Sequence, residues 1–231
     1  MAYLKQIEKY KWDLDGLVSY LQSDDAKAFS SDRELLLAAI AIHERVFEFA
    51  SEELKSDKEF VKHVLNEVRV RILGYVSDNL KNDKEVVLAA VSINGSQLEF
   101  ASDKLKNDKQ VVLSAVNKNG KALQYASEEL KSDIDIICSA FITNYSSIKF
   151  ADKNILLTEP FKAKIHSIIS KMDRKRLMLD LSNNVELIEY IPDNQKNDKE
   201  LMMSAVWQYG LSLRFASDEL KNDKEVVLRA V

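Results

Sequence analysis

Three histidines, one cysteine and two adjacent glutamate pairs are the side chains in this 231-residue sequence that could hold a metal, attack a substrate or move a proton. His43, His63 and His166 lie far apart, and none has a second histidine or the cysteine at the i+4 spacing of helical zinc motifs. Metal binding is therefore not expected. Cys138 would need a base and an accessible, electropositive setting to act as a nucleophile. It falls instead in an apolar column, level with Leu88, and reads as a buried structural thiol. Glu52-Glu53 and Glu128-Glu129 recur at one solvated turn of the pattern described below, as surface charge and not as an acid–base pair. There is no Gly-rich phosphate loop and no Gly-x-Ser-x-Gly elbow. The expectation is a non-catalytic chain with no cofactor and no evident small-molecule substrate.

The elements that position these residues must be helices. Five Gly and two Pro are few breakers for this length, and 46% apolar with 30% charged residues excludes a disordered tail. Apolar runs such as residues 35–42 are far short of the roughly 20 residues of a membrane span. The start shows no basic segment leading into an apolar one, so no classical secretion signal is expected. A single cysteine fits a reducing compartment, and the expected location is the cytoplasm.

Self-comparison reveals the organisation. Asp32, Asp57, Asp83, Asp108, Asp133, Asp173, Asp198 and Asp223 each open an apolar run, at intervals of 25, 26, 25, 25, 40, 25 and 25 residues. The interval of 40 is one repeat and a 15-residue remnant. In each unit the aspartate is placed to cap a helix A, whose apolar face reads Val86, Val87, Ala90 and Val91 in the clearest copy. Asn94-Gly95 looks like a left-handed helix end, with Gly120 and Gly210 in the same column. Asn144 and Asn184 are expected to take that conformation where glycine is missing. A short helix B from Leu98 to Ala101 follows, with a ring column of Phe49, Tyr75, Phe100, Tyr125, Phe150, Tyr190 and Phe215 assigned to the core. On that assignment Phe100→Ala should cost roughly 3 to 5 kcal/mol. Serines 51, 77, 102, 127 and 217 then cap one closing turn, 3-10 or a single helical turn, ending at a leucine.

Units this short bury their apolar faces only by stacking, so the fold class is all-α, an α-solenoid of about seven to eight 25-residue two-helix repeats. The expected organisation is capping helices over 1–31, five repeats over 32–157, a partial repeat with a bend or widened groove over 158–172, and two further repeats with an incomplete third over 173–231. In the first segment Leu4, Ile7, Leu14, Leu17, Val18 and Leu21 give helical spacing, with Asp13 as a cap and Trp12 packed among them. The sequence stops inside a helix A, which suggests a piece of something longer.

The run Asp-Lys-Glu-Val-Val-Leu-Ala-Ala-Val over 83–91, with Asn-Gly and Leu-Gln-Tyr-Ala-Ser-Glu-Glu-Leu-Lys-Ser-Asp within 119–133, resembles the tandem repeat known as domain of unknown function 4116. The resemblance extends from residue 32 onward. It implies a repeat protein of bacteria, intracellular ones included, without assigned catalytic residues. A second functional reading follows from it alone: a targeting or regulatory segment of a larger bacterial protein delivered into a host cell, which would place the chain in host cytosol.

With chemistry set aside, recognition remains. Nucleic acid is not expected, because the net charge is −4, the ring column reads as core and the lysines beside the caps are followed by glutamates. An unidentified protein partner is. Two variable columns are free to bind it: Glu48, Gly74, Glu99, Gln124, Lys149, Glu189 and Arg214 in helix B, and Ser92, Asn117, Thr143, Ser182 and Trp207 at the end of helix A. Trp207 and Tyr209 replace polar residues of other units, so the candidate contact residues are Trp207, Tyr209, Arg214, Lys149, Glu99 and Glu189. The competing reading has Trp207 filling space beside the shortened unit.

Overall fold

The computed structural model describes residues 5, 8–10, 13–21 and 30–231. Leu4, Ile7 and Trp12, assigned above to the N-terminal helices, lie outside them. The described residues form an all-α repeat fold without a β-strand, divided into two compact units, Met1–Leu130 and Lys131–Val231.

All eight aspartates cap. Asp32 accepts from the Leu35 N–H, Asp57 from Phe60, Asp83 from Val86, Asp108 from Val111, Asp133 from Ile136, Asp173 from Arg176, Asp198 from Leu201 and Asp223 from Val226. Each satisfies a donor that the helix start leaves free. Helix A spans, for example, Lys84–Ile93 and Lys109–Lys118 in the first unit and Arg174–Asn183 and Lys199–Gln208 in the second. The apolar face is buried as the spacing predicts, with Val86, Val87, Ala90 and Val91 inaccessible to solvent. Consecutive A helices pack side by side within each unit. Asp13 also caps, accepting from the Gly16 N–H at 2.9 Å at the start of Leu14–Leu21, which packs on Glu44–Phe49.

Helix B is a 3-10 helix, six residues long in Gly95–Phe100, Gly120–Tyr125, Tyr145–Phe150, Val185–Tyr190 and Gly210–Phe215. Its period of three puts residues i and i+3 in line. Gly95, Leu98 and Ala101 form the buried line, and Phe100 falls on the flank, 45% exposed. The other rings of the column are half-buried. Phe100 is therefore at the surface and the rest of the column lies at the edge of the core, with Tyr190 edge-on to the buried Phe141 and Phe161, a correction to the expectation of a core column that assumed α-helical spacing.

The glycine column also does something different from what Asn-Gly suggests. No described glycine has positive φ; Asn94, Asn119, Asn144 and Asn184 are extended, with φ between −137° and −156°. Asn94, Asn119 and Asn144 cap the 3-10 helix that follows, accepting from Ser96, Lys121 and Ser146. Glycine is needed for close approach: a Cβ on Gly95 would sit 2.1 Å from the Ala115 carbonyl oxygen of the next helix A, and one on Gly210 would sit 2.1 Å from that of Ala230.

Closing turns complete the joints. The Ser102 N–H donates to the Lys81 carbonyl of the preceding turn at 3.0 Å, as Ser77 does to Lys55 and Ser127 to Lys106; Asp152 and Ser217 do the same in the second unit, to Lys131 and Lys196. A charge ladder runs alongside. In five places the cation after a capping aspartate reaches the next capping aspartate: Arg33 to Asp57, Lys58 to Asp83 at 2.8 Å and Lys84 to Asp108 at 2.7 Å, then Arg174 to Asp198 at 2.9 Å and Lys199 to Asp223 at 2.8 Å.

Two repeats depart from this scheme. The 26-residue repeat absorbs its extra residue as a π-helical turn, Val64–Val68, followed by Arg69 at φ 58°, the one described non-glycine residue in that region. The remnant is a single helix, Glu159–Ser170, without a helix B of its own. It follows a joint in which Tyr145 holds the glycine position. The Tyr145 ring meets Phe141 edge-on at 5.0 Å, and its hydroxyl donates to Asp180 at 2.7 Å.

Candidate functional site

Of the side chains considered first for chemistry, Cys138 is 2% exposed, and burial pushes its thiol up to about 11. His43 accepts from the Arg45 N–H through Nδ1. Among the described residues no three of His, Cys, Asp and Glu converge to hold a metal ion.

In the first unit the helix B surface carries Tyr75 and Phe100 around a recess of about 410 Å³, lined also by Arg71, Gly74, Gln97 and Glu99. The recess follows from sequence. The variable column holds glycine at position 74, and the Phe100 ring lies about 3.2 Å from where a Gly74 Cβ would be. Gln97 is fixed beneath, donating to the Ala90 carbonyl and accepting from the Leu73 N–H. Beside it the π-helical insertion displaces the chain, and the joint closes through Glu44, which accepts from the backbone N–H of Arg71 at 3.1 Å and from its guanidinium at 2.6 Å. Burial would raise the Glu44 carboxyl, but the Arg71 hydrogen bonds and charge prevail and hold it low. Glu99 is exposed and bonded to Tyr125, whose hydroxyl is held up by burial and by that carboxylate.

The remaining candidate residues lie in the second unit. Trp207 is 63% exposed, and the Arg229 guanidinium stacks over its ring at 3.8 Å. A ring so exposed fills no internal gap, so the space-filling reading is overturned. Tyr209 ends Lys199–Gln208 half-buried and makes no side-chain cap for Gly210–Phe215, unlike Asn94, Asn119 and Asn144 in the same column. Arg214 covers Phe215 at 4.5 Å and stands 3.6 Å from Glu189; Lys149 covers Phe150 at 5.1 Å. The structure thus brings Arg214 and Glu189 together, while Glu99 belongs to the other unit.

Sequence reasoning missed a recess of about 650 Å³ as a set of residues, though a widened groove was expected at the remnant. It lies between the closing turn Lys153–Leu156 and the turn Asp193–Gln195, against Glu159–Ser170. Its walls are Leu156, Leu157, Ile165 and Tyr190. Leu157 is 73% exposed, and burial, with Glu189 nearby, pushes the Tyr190 hydroxyl up to about 12. The signal was available in register: Pro192 stands in the serine column. No described helix is long and apolar enough to cross a membrane.

No curated protein and no solved structure matches the chain. The family described as Domain of unknown function (DUF4116) matches residues 32–67, 70–106, 108–156 and 198–231, passing over the remnant and Pro192, and with more than half of its length so matched the chain belongs to that family.

Proposed function

We propose that this chain is a non-catalytic helical-repeat scaffold that recognises protein partners through the surface formed by helix B. The observation that carries the reading is the ring column, which core packing does not use up. Phe100 is exposed, and Phe49, Tyr75 and Tyr125 in the first unit and Phe150, Tyr190 and Phe215 in the second are residues of intermediate burial. Every ring is preceded by a variable residue, from Glu48 to Arg214. Exposed aromatics with arginine beside them are the composition of interface hot spots.

Nucleic acid fits less well. The exposed rings do meet one requirement for stacking on bases, which removes an argument made from sequence. The second requirement is a stripe of available cations, and the ladder cations Arg33, Lys58, Lys84, Arg174 and Lys199 are held by carboxylates.

The test is capture of partners on immobilised protein, identified by mass spectrometry, for wild type and for a Tyr75→Ser, Phe100→Ser variant whose circular dichroism matches wild type. A partner retained by wild type and lost by the variant supports the reading. Equal recovery from that variant and from Trp207→Ser, Arg214→Glu would remove helix B as the recognition surface.

A further inference from the structure

Closing turns of neighbouring regular repeats are joined by one backbone hydrogen bond. The first residue of a turn donates to the turn before, and the carbonyl four residues later accepts from the turn after. The pairs read Lys55 and Ser77, Lys81 and Ser102, Lys106 and Ser127 in the first unit. In the second unit Lys131 accepts from Asp152, and Lys196 from Ser217. The register therefore assigns the next acceptor after Asp152 to Leu156. Its donor would belong to the half-repeat that is missing, since the chain goes from Lys153–Leu156 into Glu159–Ser170. The next turn opens with Pro192, which has no N–H to give. That turn also holds Gln195 where Leu54, Leu80, Leu105 and Leu220 are buried, and among the described residues the buried Gln195 Oε1 has no hydrogen-bond partner. One rung of the backbone ladder is missing, and the recess of about 650 Å³ lies at that rung. A volume of this size falls within the range of ligand sites.

What normally occupies such a rung is visible in the other repeats: Ser-Glu-Glu-Leu at 51–54 and 127–130, Ser-Asp-Lys-Leu at 102–105 and Ser-Asp-Glu-Leu at 217–220. The serine supplies the N–H, the leucine is buried, and an acid is fixed by the preceding repeat, as Glu129 is by Asn107 and Glu219 by Asn197. The recess presents matching groups. Ile165, Leu157 and Tyr190 make an apolar wall, and Lys153, Lys162 and Lys196 outnumber Glu189 and Asp193 among the charged residues around it. Lys162 and Lys196 are held by Glu159 and Asp193 in exposed i,i+3 pairs, which are weak and readily exchanged.

We propose that this recess binds a short peptide segment of a partner protein that stands in for the missing closing turn. The segment offers a backbone N–H to the Leu156 carbonyl, a leucine-sized side chain to the Ile165 wall and one or two carboxylates to the lysines. It completes an interrupted edge by main-chain pairing, with side chains supplying specificity, as in strand addition to a sheet edge. The proposal deepens the recognition reading and rests on it. It shares only Tyr190 with the ring column, so either can fail without the other.

The experiment uses the full chain and a fluorescein-labelled peptide, Leu-Gln-Tyr-Ala-Ser-Glu-Glu-Leu, the repeat segment at 123–130. Saturable binding by fluorescence anisotropy is expected. It should weaken about 10-fold or more on N-methylation of the serine nitrogen, on replacing the last leucine by aspartate, and in Leu157→Glu protein, the loss of one such contact. Leu157 is exposed, so Leu157→Glu leaves the fold intact, and circular dichroism verifies this. The proposal is overturned by absence of saturation up to about 1 mM peptide, or by binding indifferent to both N-methylation and Leu157→Glu. It is equally overturned if light scattering shows a dimer that Leu157→Glu dissolves, for the occupant is then a second copy of the chain. Loss of protein capture through Tyr75 and Phe100 with peptide binding retained would leave the recess standing while separating it from the ring surface.

Discussion

The joint between the repeats opened by Asp83 and Asp108 and the joint spanning the remnant begin from the same aspartate cap and end differently. At the first, Gly95 admits the Ala115 carbonyl, Ser102 donates to Lys81, and Lys84 reaches Asp108. At the second, Tyr145 fills the glycine position, Pro192 replaces the donor serine, and a recess opens between the turns. A regular joint leaves backbone polar groups and apolar faces satisfied, so its surface is free to vary. The irregular joint keeps part of both available. On the proposed reading, binding capacity in such an array sits in side chains that stacking leaves exposed and in places where the stacking rule lapses.

The largest expected effect separates the two lines of helix B. Leu98 is fully buried and Phe100 is 45% exposed. Leu98→Ala should cost about 3 kcal/mol by cavity formation, whereas Phe100→Ala should cost about 1 kcal/mol, scaled from the value of a fully buried ring. Thermal or denaturant unfolding measures both. A Phe100→Ala loss equal to that of Leu98→Ala would return the ring to the core and remove the recognition surface. Next comes Gly95→Ala, where the added methyl meets backbone and not a flexible side chain; overpacking of this kind costs about 2 kcal/mol. An unchanged midpoint would show that the A helices separate freely.

These two positions also mark how far the sequence could be read. Repeat length, all eight caps, the apolar face of helix A, the buried thiol and the helix of the remnant are local signals, and each is found in the structure. What escaped depended on which helix formed and on what the next repeat brings. A six-residue segment does not distinguish a period of 3.6 from one of 3, and the ring moves from core to flank with that choice. Asn-Gly signals φ above zero just as well as close approach, and only the neighbouring Ala115 carbonyl decides between them. The charge ladder was hidden for the same reason: Lys58 and Glu59 adjoin in sequence and cancel on paper, while Lys58 binds Asp83 one repeat away.

A reciprocal exchange of serine and proline probes the two joints at the backbone. Ser102 has φ −62° and Ala101 before it is extended, so proline is sterically accepted at 102, and Ser102→Pro removes the donor to Lys81, a long cap to Leu105 and the exposed hydroxyl bond to the Asn82 side chain. The expected cost is about 1 to 2 kcal/mol, since a carbonyl inside a packed joint loses its donor. Pro192 is buried, so Pro192→Ser brings an N–H and a hydroxyl to a place where the adjoining turn stands across a recess, and stability should fall by about 1 kcal/mol. A large gain from Pro192→Ser would mean that the rung can close from within and that the recess is not open to a ligand.

The smallest effect concerns the charge ladder and its pH dependence. The Lys84 hydrogen bond, opposed by burial and helped by the cap N–H groups, holds Asp108 below its ordinary value, and Asp57 and Asp223 are lowered in the same way by cap N–H groups and ladder cations. A carboxylate lowered in the folded state binds its proton later than in the unfolded chain. The stabilisation is therefore complete above the unfolded value near 3.9 and is lost as pH falls through the folded values beneath it. The melting midpoint should be nearly level from pH 7 to about 5 and fall below about 4. Asp108→Asn keeps an acceptor for Val111 but gives up the pair with Lys84, at a cost near 0.5 kcal/mol at pH 7 because the pair is partly exposed. That difference from wild type should shrink as both are taken to low pH. Asp173→Asn, at the interrupted joint where no described cation reaches the cap, should match wild type at pH 7. If Asp108→Asn and Asp173→Asn cost the same, the ladder contributes nothing and the aspartates act as caps alone.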